Sequence, residues 1–254
     1  MFLGEKLDIG IKVALAQIPV VRGDMSVNLS HHLTKIEHAS AIGADVVVFP
    51  ELSLTGYELD LLGELTVTES SSVVKSLSKA SIDNDIIAIA GCTRNVIGAQ
   101  KPMISAVICF PDGEINFYAK QHLHEGENQY CSSGAVDYYF EVKGYQVALA
   151  ICADFVEPAH SKKARAHGAD IYIASALISE AGFETDAEIL ANIAATNCFP
   201  VLLCNHISKS GGWSTCGNNS VWSSTGEHVF SSESKDSCLV ICSISGTRVE
   251  ASKT

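Results

Sequence analysis

The sequence is short of charge. Asp, Glu, Lys and Arg supply 18% of its 254 residues, whereas 47% are hydrophobic; an average soluble domain is about 25% charged. That balance excludes a disordered chain and predicts a compact protein with much internal or interfacial surface. Basic residues are the scarcer kind: 17 Lys and Arg face 29 Asp and Glu, a formal net charge of −12. No nucleic acid and no anionic membrane is expected as a partner, and the acidic surface is expected to aid solubility. No apolar run approaches the roughly 18 residues of a membrane span. Met1 to Gly10 contains acids and lacks the apolar core of a secretory leader. Linkers and low-complexity stretches are missing too, so one domain over residues 1–254 is expected. The nine cysteines, at 92, 109, 131, 152, 198, 204, 216, 238 and 242, are odd in number, and most lie in apolar runs. Reduced thiols and a cytoplasmic location follow, not a disulfide framework.

What is present is an alternation of strands and helices. Ile11 to Gln17 reads as a buried strand. Beyond the turn Arg22-Gly23-Asp24, helical spacing runs from Val27 through Leu29, Leu33, Ile36, Ala39 and Ile42 until Gly43. Asp45 to Phe49 is a second strand, ended by Pro50-Glu51. A helix over Ser70 to Ile82 precedes a strand at Ile86 to Ala90. The Asp112-Gly113 turn joins Ala106 to Phe110 and Glu114 to Tyr118 in a hairpin. Lys120 to Gly134 is polar and without period, a long loop of the kind that tends to carry function. Then come a strand over Val147 to Cys152, a helix from Pro158 to His167, a strand at Asp170 to Ser175, a helix over Glu184 to Asn197 and a strand at Val201 to Cys204. A Gly/Ser loop, Ser208 to Gly217, leads into short antiparallel strands between Asn219 and Ser243.

Two short stretches repeat. Val13-Ala14-Leu15-Ala16 recurs as Val147-Ala148-Leu149-Ala150, and Gly43-Ala44-Asp45-Val46 recurs as Gly168-Ala169-Asp170-Ile171. Each half therefore has strand, helix, Gly-Ala-Asp, strand, and two such βαβ units predict sheets with helices packed outside.

Chemistry in open α/β sheets gathers just beyond the carboxyl ends of strands. Cys152 and Glu51 both occupy such places, and Lys120 follows the hairpin. Each alone has an ordinary explanation as a core thiol, a loop acid or a surface charge. Their flanking residues and order change the weight. Phe49-Pro50-Glu51-Leu52 with Thr55-Gly56-Tyr57, then Tyr118-Ala119-Lys120-Gln121-His122-Leu123, then Ile151-Cys152-Ala153-Asp154 with Pro158, resemble the carbon–nitrogen hydrolases of the nitrilase superfamily. Asn205 and Gly217-Asn218-Asn219-Ser220 with Gly226 are weaker matches, and similarity runs from about Ile11 to Val240.

The resemblance implies an α/β fold, a four-layer α-β-β-α sandwich with two mixed sheets and helices outside, often assembled as a homodimer. It implies a Glu51, Lys120, Cys152 triad with Glu127 as a second glutamate, and no cofactor or metal. The expected activity is thiol-dependent hydrolysis of small linear amides or N-carbamoyl amines, through a thioester on Cys152 with release of ammonia. Members acting on nitriles usually carry Cys-x-Glu; Cys152-Ala153-Asp154 is closer to amidase-like and carbamoylase-like branches. Tyr57, Ala153, Glu180 and Asn205 are expected at the substrate, with Glu180, near Glu184 and Asp186, meeting a substrate amine. Ala153 stands where an aromatic is common and leaves space beside the thiol. A nitrile hydrolase of the same superfamily and a catalytically silent binding protein on this fold stay open as alternatives. A metal site from His122, His124 and Cys131 matches no strong zinc spacing.

Overall fold

The computed structural model describes residues 10–254; the expected lack of a leader falls on residues 1–9, outside the described residues. In chain order the elements are β1 (Ile11–Gln17), α1 (Met25–Ala41), β2 (Val46–Val48), β3 (Thr66–Val67), α2 (Ser72–Asp83), β4 (Ile87–Arg94), β5 (Met103–Cys109) and β6 (Ile115–Ala119). The second half has β7 (Tyr139–Val142), β8 (Tyr145–Ile151), α3 (Pro158–Ala166), β9 (Ile171–Ala176), α4 (Phe183–Asn197) and β10 (Val201–Asn205). It ends with β11 (Ser220–Trp222), β12 (His228–Ser231), β13 (Cys238–Ser245) and β14 (Arg248–Lys253).

One sheet has the order β14-β13-β1-β2-β4-β5-β6, with β3 also paired to β4, and the other β12-β11-β10-β9-β8-β7. Both are mixed: β1, β2 and β4 run parallel, with β3 parallel to β4, and β8, β9 and β10 run parallel, while the strands flanking each set, β13, β5, β7 and β11, run antiparallel. Alternation along the strands explains the repeated tetrapeptide. Val13 and Leu15, like Val147 and Leu149, point into a core between the two sheets. Ala14 and Ala16 face α1 and α2, whereas Ala148 and Ala150 face α3 and α4. Branched residues thus fill the space between the sheets, and small ones let the helices approach. Four layers result, α-β-β-α, as expected.

The second repeat has an equally local cause. Gly43 and Gly168 have φ of 75° and 86°, a left-handed conformation that glycine adopts without penalty. Ala44 N–H reaches back to Ala39 and Ala169 N–H to Ala164, while Gly43 pairs with Ser40 and Gly168 with Arg165; both helices end in a Schellman motif. The aspartate then closes the unit. Asp45 exchanges hydrogen bonds with Lys12 at the start of β1, and Asp170 does the same with Gln146 at the start of β8, every one at 2.8 Å.

Some boundaries move. Asp24 caps α1 by accepting from Val27 N–H at 3.0 Å, so the helix starts at Met25 instead of Val27. β3, β7 and β14 were not expected: they are short or polar edge strands, and half-exposed edges carry little hydrophobic period. Cys152 lies just past β8 and not within it.

The two sheets are tied near the carboxyl ends of their parallel strands. Ser175 on β9 donates to Phe49 carbonyl at 2.8 Å, and the single S–H of Cys204 on β10 is shared between Val48 and Ala16 carbonyls, 3.2 and 3.4 Å away. The turn that follows Phe49 rests on β4, where a Cβ on Gly91 would sit 2.2 Å from Leu52 nitrogen and 2.4 Å from Pro50 oxygen. Gly91→Ala is therefore expected to destabilise the fold by about 1–3 kcal/mol, measured as a lowered Tm by calorimetry. An unchanged Tm would show that this turn is free to move.

Candidate active site

Cys152 opens a single helical turn, Cys152–Asp154, directly after β8. Its φ is 45°, a left-handed conformation that carries a steric penalty for any residue with a Cβ. Asp154 holds the turn in place. One carboxylate oxygen accepts from Ile151 N–H at 2.9 Å and Tyr118 hydroxyl at 2.7 Å. The other accepts from the N–H groups of Gln121 and His122 at 2.9 and 2.8 Å. The buried acid thus clips the cysteine turn to the segment that follows Lys120. Behind it, His160 bridges Tyr118 at 3.0 Å and Tyr172 at 2.9 Å, and burial lowers its pKa.

Glu51 is set by a second buried network. Ser53 hydroxyl accepts from Gly91 N–H at 3.1 Å and meets His32 Nε2 at 2.9 Å. His32 Nδ1 donates to Asn28 carbonyl at 2.7 Å, which leaves Nε2 to accept from Ser53. From the opposite sheet His206 Nε2 donates to the Glu51 carbonyl at 2.5 Å. Burial pushes both histidines down to about 4, so they serve as neutral, fixed hydrogen-bonding groups.

Lys120 links the parts. Its Nζ donates to Glu51 Oε1 and to Glu127 Oε1, both at 2.8 Å, and all three side chains are buried. Glu127 also accepts from Tyr57 hydroxyl at 2.6 Å and from His124 N–H at 2.7 Å. One ammonium between two carboxylates leaves the cluster short of positive charge. Burial raises the Glu51 pKa, Lys120 opposes this and Glu127 adds to it. Burial alone would lower Lys120, but Glu51, Cys152 and Glu127 outweigh it and hold the ammonium charged. The Cys152 thiol is pushed up by burial and then by Glu51, so it rests protonated. It faces Glu51, favouring the ionised carboxylate, whose Oε2 has no hydrogen-bond partner among the described residues.

Cys152 and Ala153 open onto a cavity of about 480 Å³ that Tyr57 also lines. Two expected substrate contacts are placed elsewhere. Asn205 is fully buried; its Oδ1 accepts from Ile178 N–H at 2.7 Å and its Nδ2 donates to Gly217 carbonyl at 2.8 Å. It shapes the cavity wall from behind. Glu180 is exposed, pairs with Lys235 and does not line the cavity. Asp186, expected only as a neighbour of Glu180, and His124, considered only as a metal ligand, both line the cavity; Trp213 was missed, although a tryptophan inside a Gly/Ser loop was an available signal. His122, His124 and Cys131 form no metal-ligating group among the described residues: Cys131 is buried with its thiol toward Glu127 carbonyl, and His122 packs edge-on to His160.

Residues 12–253 match the carbon-nitrogen hydrolase family model. The chain belongs to that family. A 2-oxoglutaramate amidase from Bacillus subtilis (strain 168) is 31% identical over 169 residues, 65% of this chain and 64% of the relative. An (R)-stereoselective amidase from Pseudomonas sp. is 29% identical over 64% of this chain and 59% of the relative. These matches span less than two thirds of either relative's length. Among solved structures, a glutamate-to-leucine variant of the amidase from Nesterenkonia sp. AN1, carrying the acetamide moiety of fluoroacetamide on its active-site cysteine, superposes with a TM-score of 0.85. It covers 92% of this chain and 90% of its own at 20% identity, a likeness of fold.

In this family member the clip at Asp154 is a separable element. Asp154→Asn retains shape but turns half of a four-fold acceptor into a donor, and is expected to cost about 2–4 kcal/mol. The check is a denaturant titration, with a stability within 0.5 kcal/mol of the parent (about the size of a surface substitution) counting against the clip.

Proposed function

We propose that this chain is a thiol-dependent amidase that hydrolyses small linear amides or N-carbamoyl amines and releases ammonia. The observation that carries the reading is the buried Lys120 ammonium shared by Glu51 and Glu127 beside the Cys152 thiol. The amidase activities in the names of the Bacillus and Pseudomonas relatives support an amide substrate, and the adduct on the Nesterenkonia cysteine supports a thiol nucleophile.

In this reading Glu51 Oε2 takes the Cys152 proton as the sulfur attacks the amide carbon. The carbonyl oxygen becomes an oxyanion, stabilised by Lys120 and the Ala153 N–H; loss of one such donor typically lowers the rate about 100- to 1,000-fold. Glu51 returns the proton to the leaving nitrogen, the C–N bond breaks and ammonia departs, leaving a thioester. Glu51 then takes a proton from water, whose oxygen displaces the sulfur and frees the acid. Glu127, steadied by Tyr57, keeps the Lys120 ammonium aimed at the reacting oxygen. None of these steps needs a metal or cofactor. The low charge fraction and free cysteines are consistent with one hydrolase domain working in a cytoplasm as a homodimer.

Ammonia release from a panel of small amides, N-carbamoyl amines and nitriles tests the reading. Cys152→Ala is expected to lower turnover of the best substrate at least about 1,000-fold; release that survives the substitution rules out the thiol. Because Glu51 must be ionised to act as base and its pKa is raised, kcat/KM is expected to fall with decreasing pH along a limb centred above the ordinary carboxylate value of 4.5. A pH–rate profile with that limb at or below 4.5 would contradict the assignment.

A further inference from the structure

The cavity over Cys152 carries one acidic side chain and no lysine or arginine. Asp186, in the first turn of α4, lines it. The Asp186 carboxylate receives no hydrogen bond and forms no ion pair within the described residues. Burial raises its pKa, and His124, another lining residue, only partly offsets this. A half-buried carboxylate without a donor gains from any cationic group that enters.

The rest of the cavity fits such a group. Leu177, Ile178 and Ile189 supply an apolar wall for a methylene chain. Trp213 lines the cavity beside His124, with ring centroids 6.4 Å apart, and stays 46% exposed; an aromatic face of this kind attracts cations. The whole chain, at a formal −12, favours approach of a cation over an anion.

We propose that Asp186 is the specificity-determining residue and that the substrate is an amide whose far end carries an ammonium group, held between Asp186 and Trp213. The proposal rests on the amidase reading. It separates this chain from a hydrolase whose substrate ends in a carboxylate, which this wall would repel. It also moves the amine contact from the exposed Glu180 to a residue inside the cavity.

Three probes of similar length decide it: 5-aminopentanamide, hexanamide and glutaramate. The parent enzyme is expected to show a kcat/KM at least about tenfold higher for 5-aminopentanamide than for either of the others. Asp186→Asn should raise KM for 5-aminopentanamide at least about tenfold, leave kcat within a factor of about two, and leave both constants for hexanamide unchanged. Equal effects on the two amides, or a parent preference for glutaramate, would overturn the proposal. So would the same rise in KM from Glu180→Gln in place of Asp186→Asn. Calorimetric titration of Cys152→Ala with 5-aminopentanamide and hexanamide reads the subsite without turnover. Tighter binding of the amine, abolished by adding Asp186→Asn, supports it even if no probe releases ammonia; in that case only the amidase reading fails. Equal binding of the two probes sinks the subsite alone.

Discussion

A fully buried ammonium is the constraint around which the site is built. Removing a charge from water costs several kcal/mol even after the protein relaxes, and the loss is recovered only where opposite charges stand at hydrogen-bonding distance. Lys120 meets that condition with two carboxylates at 2.8 Å. Glu51 comes from the turn after β2 and Glu127 from the loop after β6, so both segments must be in register before the lysine can be buried. This explains the effort spent on backbone around them. Ser53, His32 and His206 hold the Glu51 turn, and Gly134 N–H closes the far end of the loop on Lys120 carbonyl at 2.7 Å. With the ion pairs fixed, the electrostatics of the thiol follow, because a thiolate would add negative charge to a cluster that already has an excess.

Fold and site were legible in the sequence to different depths. Strand and helix order could be read because the buried elements are apolar runs of the right length, and the repeated Gly-Ala-Asp marks a helix end with a strand-closing aspartate. Position after a strand made Glu51, Lys120 and Cys152 candidates, and the motifs around them, in family-like order, identified them as a triad. The cavity wall was legible only in part: Tyr57 and Ala153 line it, but its acid is not Glu180. Glu180, Glu184 and Asp186 lie within seven residues of one another, yet a helix start turns each in a different direction, and only Asp186 among them reaches the cavity. Asn205 was read as a polar group awaiting a substrate, but four backbone groups had already claimed its amide. Sequence order says which residues are near; it does not say which have their hydrogen bonds filled.

The left-handed φ at Cys152 belongs to the same class of hidden property. Nothing in Ile-Cys-Ala-Asp announces it, since the residue carries a Cβ. The conformation persists because Asp154 over-determines the turn from four donors on three segments. A substitution that leaves the thiol untouched can therefore still displace it.

The twofold repeat has a further consequence. Superposing the halves on their shared tetrapeptides puts Ile18 at the position equivalent to Cys152, and the shared Gly-Ala-Asp turns put Ala176 opposite Glu51. That symmetry gives the scaffold two equivalent positions of each kind, at or just past the end of a strand. The first half carries Ile18 where the second has Cys152, and the second carries Ala176 where the first has Glu51. A division of labour of this kind makes each half incomplete without the other, and it leaves a doubled scaffold with a single reactive centre.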